Sequence, residues 1–137
     1  MANETFVDTS GFYALLAKKD KMHGKAVRFL HEKAKRNQRY ITTDYILDEI
    51  STLLKARGLA HILPDFFDTI FSSKACHIEW MDQTRFLDTR SYFLKHSDQS
   101  WSFTDCFSFV LMKELKLSEA VTKDEHFREA GFIPLLA

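Results

Sequence analysis

The stretch Thr5-Phe6-Val7-Asp8-Thr9-Ser10-Gly11-Phe12 decides how this chain is read. Thr5-Phe6-Val7 has the character of a short buried strand. It ends in an acid, and a helical pattern follows over residues 11–18 with Phe12, Leu15 and Leu16 on one side. A strand that feeds a helix opens an α/β unit, and in open α/β sheets ligands gather beyond the carboxyl ends of the strands. Asp8 is predicted to stand there. A local turn, in which an Asp bonds its own backbone, explains the residue equally well.

The alternation continues along the chain. Ala26, Val27, Phe29, Leu30 and Ala34 fall at helical spacing over residues 23–36. A strand is predicted at 40–42, then a helix over 44–57 capped by Asp44 and ended by Gly58. Pro64 forces a late start or a kink in a helix over 60–72. Its apolar residues Phe66, Phe67 and Ile70 suit either a core or a partner surface. Residues 76–81 alternate as a strand, and 84–95 read as a helix with Phe86, Leu87, Tyr92 and Phe93 inward. After a polar loop, Thr104 is expected to cap a helix to 115 that is apolar almost all round and therefore buried against a sheet. A strand at 120–122, a short helix over 124–130 stopped by Gly131, and a strand at 133–136 complete the pattern. Short apolar strands alternating with helices predict an α/β domain with a mostly parallel sheet. No linker, repeat or shift of composition divides the 137 residues, which suffice for one core and are too few for two, so residues 1–137 are read as a single domain.

Composition narrows the class. At 45% hydrophobic residues a packed globule is expected, and no apolar run approaches the roughly 20 residues of a membrane span. With no signal-like opening either, the chain is read as soluble and cytoplasmic. Cys76 and Cys106 form no C-x-x-C pair, so zinc and redox motifs are unsupported, and both are expected buried in a reducing compartment. Net charge is zero, yet nine of the 19 Lys and Arg residues crowd between Lys18 and Arg39. Such a run is either a solvated helix face or a flank that steers phosphates. Phosphate-loop, dinucleotide, HExxH and GxSxG patterns are absent, and Asp8-Thr9-Ser10 lacks the second acid of an aspartyl-phosphate phosphatase.

Three more acids lie beside core segments. On the helix predicted over 44–57, Ile46, Leu47, Ile50, Leu53 and Leu54 define one arc at roughly 100° per residue, with Asp48 nearly opposite and Glu49 at the arc's edge. Glu49 is therefore the member of the pair able to face a cleft, or else a boundary residue. Asp105 falls in the first turn of the apolar helix, where the macrodipole favours an acid in any case. Asp124 follows a strand, where it serves as a helix cap or a ligand, or both. Clustered carboxylates raise one another's pKa values unless a cation neutralises them, and Mg²⁺ or Mn²⁺ suits an all-oxygen set. Such a site activates water against a phosphodiester. His23, His31, His61 and His77 are read as non-ligands.

Taken in order, four segments carry a resemblance. Val7-Asp8-Thr9-Ser10-Gly11-Phe12-Tyr13-Ala14-Leu15, Thr42-Thr43-Asp44-Tyr45-Ile46-Leu47-Asp48-Glu49, Ser102-Phe103-Thr104-Asp105-Cys106 and Val121-Thr122-Lys123-Asp124-Glu125-His126-Phe127 resemble the successive motifs of PIN-domain proteins. Among these, the VapC-type toxins of toxin–antitoxin pairs are most similar. The resemblance spans residues 5–136 and implies a three-layer α/β/α domain with a five-stranded parallel sheet. It also implies Mg²⁺- or Mn²⁺-dependent cleavage of RNA, a homodimer, and a small antitoxin that blocks the site. Carried over, Asp8, Glu49, Asp105 and Asp124 are the metal-binding acids, while Thr9 or Ser10 and Thr104 supply hydroxyls that orient them. Lys18, Lys19, Lys21, Lys25 and Arg28 are the candidate RNA contacts. Some members carry a further acid two places after the fourth. Here that place is His126, so a second metal is expected to be held weakly or only with substrate. Two other readings remain: an inactive PIN-like module that binds RNA or protein, and a DNA nuclease with the same site.

Overall fold

Thr5, Phe6 and Val7 are almost wholly buried, and they form the central strand of the sheet. A computed structural model describes residues 4–137. The first strand, β1 (Glu4–Val7), lies between β2 (Arg39–Thr43) and β4 (Glu119–Val121). Beyond these come β3 (Cys76–Glu79) and β5 (Ile133–Pro134), giving the order β3-β2-β1-β4-β5 with every pairing parallel. Phe6 pairs with Ile41 on one side and Ala120 on the other. The chain thus leaves β1 in one direction through β2 and β3, then returns to build β4 and β5 on the opposite side. The reversal places a topological switch point between β1 and β4, where a crevice opens beyond the carboxyl ends.

Right-handed crossovers assign the helices to two faces. On one face α1 (Thr9–Leu16) packs against α2 (His23–Lys35) and α3 (Asp44–Ala56), and α4 (Leu63–Ser72) follows a single 3₁₀ turn. On the other, α5 (Gln83–Lys95) packs on α6 (Phe103–Glu114), and α6 meets α7 (His126–Glu129). This is the expected three-layer arrangement. Phe107, Phe109, Leu111 and Met112 of α6 are fully buried, as its apolar circumference requires. Pro64 sits in the first turn of α4, so it starts the helix late and does not kink it. Gly11 permits the close approach of α1 to the sheet: a Cβ there would lie 2.0 Å from the Val121 carbonyl oxygen.

Several local expectations are corrected. Phe86, Leu87 and Phe93 do not point inward but are 43%, 51% and 36% exposed. α5 is an outer helix resting on α6, so only a narrow stripe is covered. Thr89 is the buried position, and Tyr92 meets Trp101 and Phe109. Phe86 and Phe93 instead flank Phe103 at the surface. Phe66 and Ile70 belong to the core, while Phe71, one place on, is exposed. The cap of α3 is Thr43, whose hydroxyl accepts from Ile46 N at 3.1 Å, and not Asp44, which accepts from Met81 N at 3.0 Å. The cap of α6 is Ser102, not Thr104. Cys106 is buried, whereas Cys76 is only half-buried, and both are free.

Candidate metal centre

Asp8 follows β1 directly, at the switch point, and is 5% exposed. A chain of hydroxyls from the β4 side holds it. Thr122 Oγ1 donates to Asp8 Oδ2 at 2.9 Å. Its single proton being used there, its 3.0 Å contact with Ser10 Oγ has Ser10 as donor, and Ser10 in turn accepts from Lys123 N at 2.8 Å. Thr122 Oγ1 also accepts from Asp124 N at 3.0 Å, which joins the first acid to the fourth. Burial pushes the Asp8 carboxyl up to about 7. The bonds from Thr122 and the Thr9 backbone offset part of this, and the charges of Asp105 and Glu49 add to it.

Glu49 reaches the same end of the sheet from α3. Thr9 at the start of α1 donates its hydroxyl to Glu49 Oε1. Asp48 and Glu49 are both exposed, but Asp48 has no such side-chain bond among the described residues. The helical phase of α3 thus separates the two acids as expected.

Asp105 and Asp124 approach from the other face. Asp105 is the third residue of α6 and closes a reciprocal cap: its backbone N–H donates to Ser102 Oγ at 3.0 Å, and its Oδ2 accepts from Ser102 N at 3.1 Å. Burial raises its pKa, and the charge of Asp124 contributes. Asp124 Oδ1 accepts from His126 N at 2.9 Å, a bond like that of a helix cap, and its other oxygen has no such partner among the described residues. His126 Nδ1 stands 3.1 Å from Asp105 Oδ2 and 3.4 Å from Asp124 Oδ1. Partial burial disfavours charge on this imidazole, but the bond to Asp105 and the charges of Asp124, Asp105 and Glu129 outweigh it and raise its pKa.

Among the described residues, Asp105, Asp124 and His126 form the tight group, with one ligand atom of each within 4.8 Å of the others. Asp8 and Glu49 border it, near enough for Asp105 and Glu49 to act on the charge of Asp8. An acid kept near neutrality by burial and by other acids is a group that a divalent cation would restore to its charged form. The donor set of carboxylates fits such an ion.

The PIN-domain profile matches residues 5–133. The chain belongs to the PIN-domain family. The 23S rRNA-specific endonuclease VapC20 of Mycobacterium tuberculosis, found in two strains, is 29% identical to it over 128 residues, which are 93% of this chain and 95% of that protein. The crystal structure of that VapC20, described as a Sarcin-Ricin loop cleaving toxin, superposes with a TM-score of 0.83 at 27% identity. The match covers 94% of this chain and 96% of the other. The VapC-type resemblance and the PIN-like α/β/α fold therefore hold.

In this PIN domain the hydroxyls divide their work. Thr9 holds Glu49, and Ser10 anchors the Thr122 relay. Thr104 makes no side-chain hydrogen bond to an acid among the described residues; its carbonyl accepts from Ser108, and Ser102 does the capping. The spacing Ser102-x-x-Asp105 is that of a capping box and is detectable in the sequence. Thr122 and His126, as structural partners of the acids, escape sequence reasoning. The spacing of His126 to Asp124 is visible there, but Thr122 meets Asp8 across 114 positions and carries no local signal.

The basic candidates also divide. Lys18, Lys19 and Lys21 line a groove of about 1020 Å³, together with Arg57, Lys123 and Asp20. None of Asp8, Glu49, Asp105 and Asp124 lines the groove, whereas Lys123, the chain neighbour of Asp124, does. Lys123 Nζ pairs with Asp20 at 2.7 Å. Lys25 and Arg28 are exposed on α2, away from that lining. No helix among the described residues is long and apolar enough to cross a membrane.

Proposed function

We propose that this PIN domain is an Mg²⁺- or Mn²⁺-dependent endoribonuclease, the toxin of a toxin–antitoxin pair, with Asp8, Glu49, Asp105 and Asp124 as its metal-binding acids. The observation that supports the reading most is the tight group of Asp105, Asp124 and His126, with Asp8 close enough to feel the charges of Asp105 and Glu49. The likeness to a 23S rRNA-specific endonuclease over nearly the whole chain supports it. Held by Asp8, Glu49, Asp105 and Asp124, a divalent ion would supply activation of a water and neutralisation of phosphate charge. The chain's own part is orientation: Thr122 fixes Asp8, Thr9 fixes Glu49, and the Ser102 cap fixes Asp105. Lys18, Lys19, Lys21 and Lys123 hold the RNA strand at the groove they line. The substrate class is ribosomal RNA, by likeness to the mycobacterial 23S rRNA-specific endonuclease.

A small antitoxin is the cognate partner. A second copy of this chain joins it through the exposed apolar stripe of α5, where Phe86, Leu87, Phe93 and Leu94 are uncovered. Light scattering on the purified chain tests this, a dimer being the expected result.

The decisive experiment incubates the folded protein with 23S rRNA and with single-stranded DNA, in EDTA and then in Mg²⁺ or Mn²⁺. RNA cleavage that needs the ion and fails in Asp8→Asn is expected. A variant that cuts at the parent's rate overturns the assignment. RNA affinity without cleavage identifies a binding module, and preference for the DNA identifies a DNA nuclease.

A further inference from the structure

His126 occupies the place two residues after Asp124 where an acid would complete an all-oxygen set. The structure puts its ring inside the acidic group. Nδ1 stands 3.1 Å from Asp105 Oδ2 and 3.4 Å from Asp124 Oδ1, and the three residues can present ligand atoms within 4.8 Å of one another. The opposite nitrogen, Nε2, lies 3.2 Å from the Ser100 hydroxyl. That is how ligating imidazoles are commonly built: one nitrogen faces the ion while the other is anchored to a neutral or acidic partner that fixes the ring.

The backbone reinforces the placement. His126 N donates to Asp124 Oδ1 at 2.9 Å, so the first turn of α7 is tied to the very acid that the ring faces. Ser102 N binds Oδ2 of Asp105 and leaves Oδ1 without a hydrogen-bond partner among the described residues. Oδ2 of Asp124 is equally without one. Each acid thus keeps one oxygen for a ligand role after its structural bonds are made. Phe127, next in the chain, is wholly buried against Phe6 and Phe109, which pins α7 to the core.

A third carboxylate at this position would add negative charge to an already crowded group. An imidazole adds a donor without that charge, and it changes which ion the site prefers. Carboxylate oxygens suit Mg²⁺ and Mn²⁺, whereas a nitrogen ligand favours the later first-row ions, in the order that places Mn²⁺ below Co²⁺ and Ni²⁺. Mg²⁺, a hard ion reluctant to give up its water, gains least from nitrogen.

We infer that His126 Nδ1 is a direct metal ligand, the ion displacing the proton shared between Nδ1 and Asp105 Oδ2 into solvent and forming with Asp105, Asp124 and the freed nitrogen a two-carboxylate, one-imidazole site that takes Mn²⁺ in preference to Mg²⁺. The inference rests on the proposed metal-dependent reading and replaces the expectation that loss of the acid weakens the site. His126 is thereby a determinant of ion choice.

The test is pulsed electron paramagnetic resonance of the Mn²⁺-loaded parent, read for coupling to a directly bound nitrogen, with calorimetry of Mn²⁺ and Mg²⁺ binding. Nitrogen coupling is expected in the parent and absent in His126→Ala and His126→Asp. Mn²⁺ affinity is expected to fall on the order of tenfold or more in His126→Ala. The ratio of Mn²⁺ to Mg²⁺ affinity should fall in His126→Asp. Mn²⁺ bound to the parent without nitrogen coupling overturns the inference and leaves the nuclease reading standing, as does coupling that survives in His126→Ala. No Mn²⁺ binding at all overturns both.

Discussion

Thr122 donates its hydroxyl to Asp8 across the β1–β4 seam, at 2.9 Å, and accepts from Asp124 N at 3.0 Å with the same oxygen. One buried side chain therefore aligns two of the four acids. Thr122→Val keeps the volume and removes these bonds and the one from Ser10, leaving Asp8 with only its Thr9 backbone bond and the Asp124 N–H without its partner. The expected cost is about 1–3 kcal/mol, several degrees in Tm. Ion-dependent cleavage should fall as well. Thr122→Ser, which keeps the hydroxyl, should retain most of both. Thermal denaturation with a parallel RNA digest checks this.

Asp8 carries a stability cost that its proposed function explains. Its folded pKa, pushed up to about 7, lies above the unfolded carboxylate value of 3.8, so the ion-free fold binds this proton more tightly than the unfolded chain does. Stability is then lost as pH rises from near 4 through 7, and is regained as pH falls over the same window. Asp8→Asn, which cannot ionise, should stabilise the protein in EDTA by up to about 4 kcal/mol above neutrality and by little near pH 4. It should also abolish cleavage. Denaturant titrations at several pH values, in EDTA, test the sign: a difference between the two proteins that narrows as pH rises contradicts it.

Glu49 and Asp48 are adjacent acids with opposite expected outcomes. Thr9 holds Glu49 at the mouth of the site. Glu49→Gln should cost at least on the order of 100-fold in cleavage, Thr9→Val about tenfold, and Asp48→Asn next to nothing. All three substitutions should leave the far-UV spectrum unchanged. Initial rates on a labelled RNA fragment, at saturating Mn²⁺, distinguish them.

Gly11 sets the distance between α1 and β4. A methyl group there would lie 2.0 Å from the Val121 carbonyl oxygen, which itself accepts from Asp8 N. Backbone cannot yield as a flexible side chain does, so Gly11→Ala should destabilise by about 1–3 kcal/mol or more and displace Asp8, Thr9 and Ser10 together. Weaker Mn²⁺ binding, measured by calorimetry well below the variant's own Tm, is the second expected effect.

Lys18, Lys19 and Lys21 line the groove, whereas Lys25 and Arg28 lie outside it. If the groove carries RNA, replacing the first three by Ala should reduce the salt dependence of RNA binding by about 0.7 in slope for each phosphate that is no longer neutralised. Replacing Lys25 and Arg28 should change the slope less. Fluorescence anisotropy across a salt series, with an uncleavable RNA, gives both slopes.

Much of the molecule can be read along the chain. Apolar strands of three or four residues ending beside acids, separated by amphipathic helices, are enough for a parallel α/β sheet, because crossover connections leave few other solutions. The phase of α3 distinguishes Glu49 from Asp48 because a helix fixes which residues share a face. Periodicity does not say how much of a face a neighbour will cover, and so it assigns Phe86, Leu87 and Phe93 to a core that α5 only touches. Caps mislead for a related reason: Thr43 and Ser102 compete with equally plausible neighbours, and small differences in backbone conformation decide between them.

The partners of the acids are decided by tertiary structure alone. Thr122 meets Asp8 across 114 positions, and Thr9 meets Glu49 across 40. Such pairings depend on strand order and on the register of α1 against β4, neither of which leaves a local trace. His126 shows the division most plainly. Its place two residues after Asp124 is written in the chain, and read there it is only an acid that is missing. Folding turns its ring toward Asp105 and sets Ser100 behind it, and that arrangement makes a nitrogen donor of what the sequence presents as a gap.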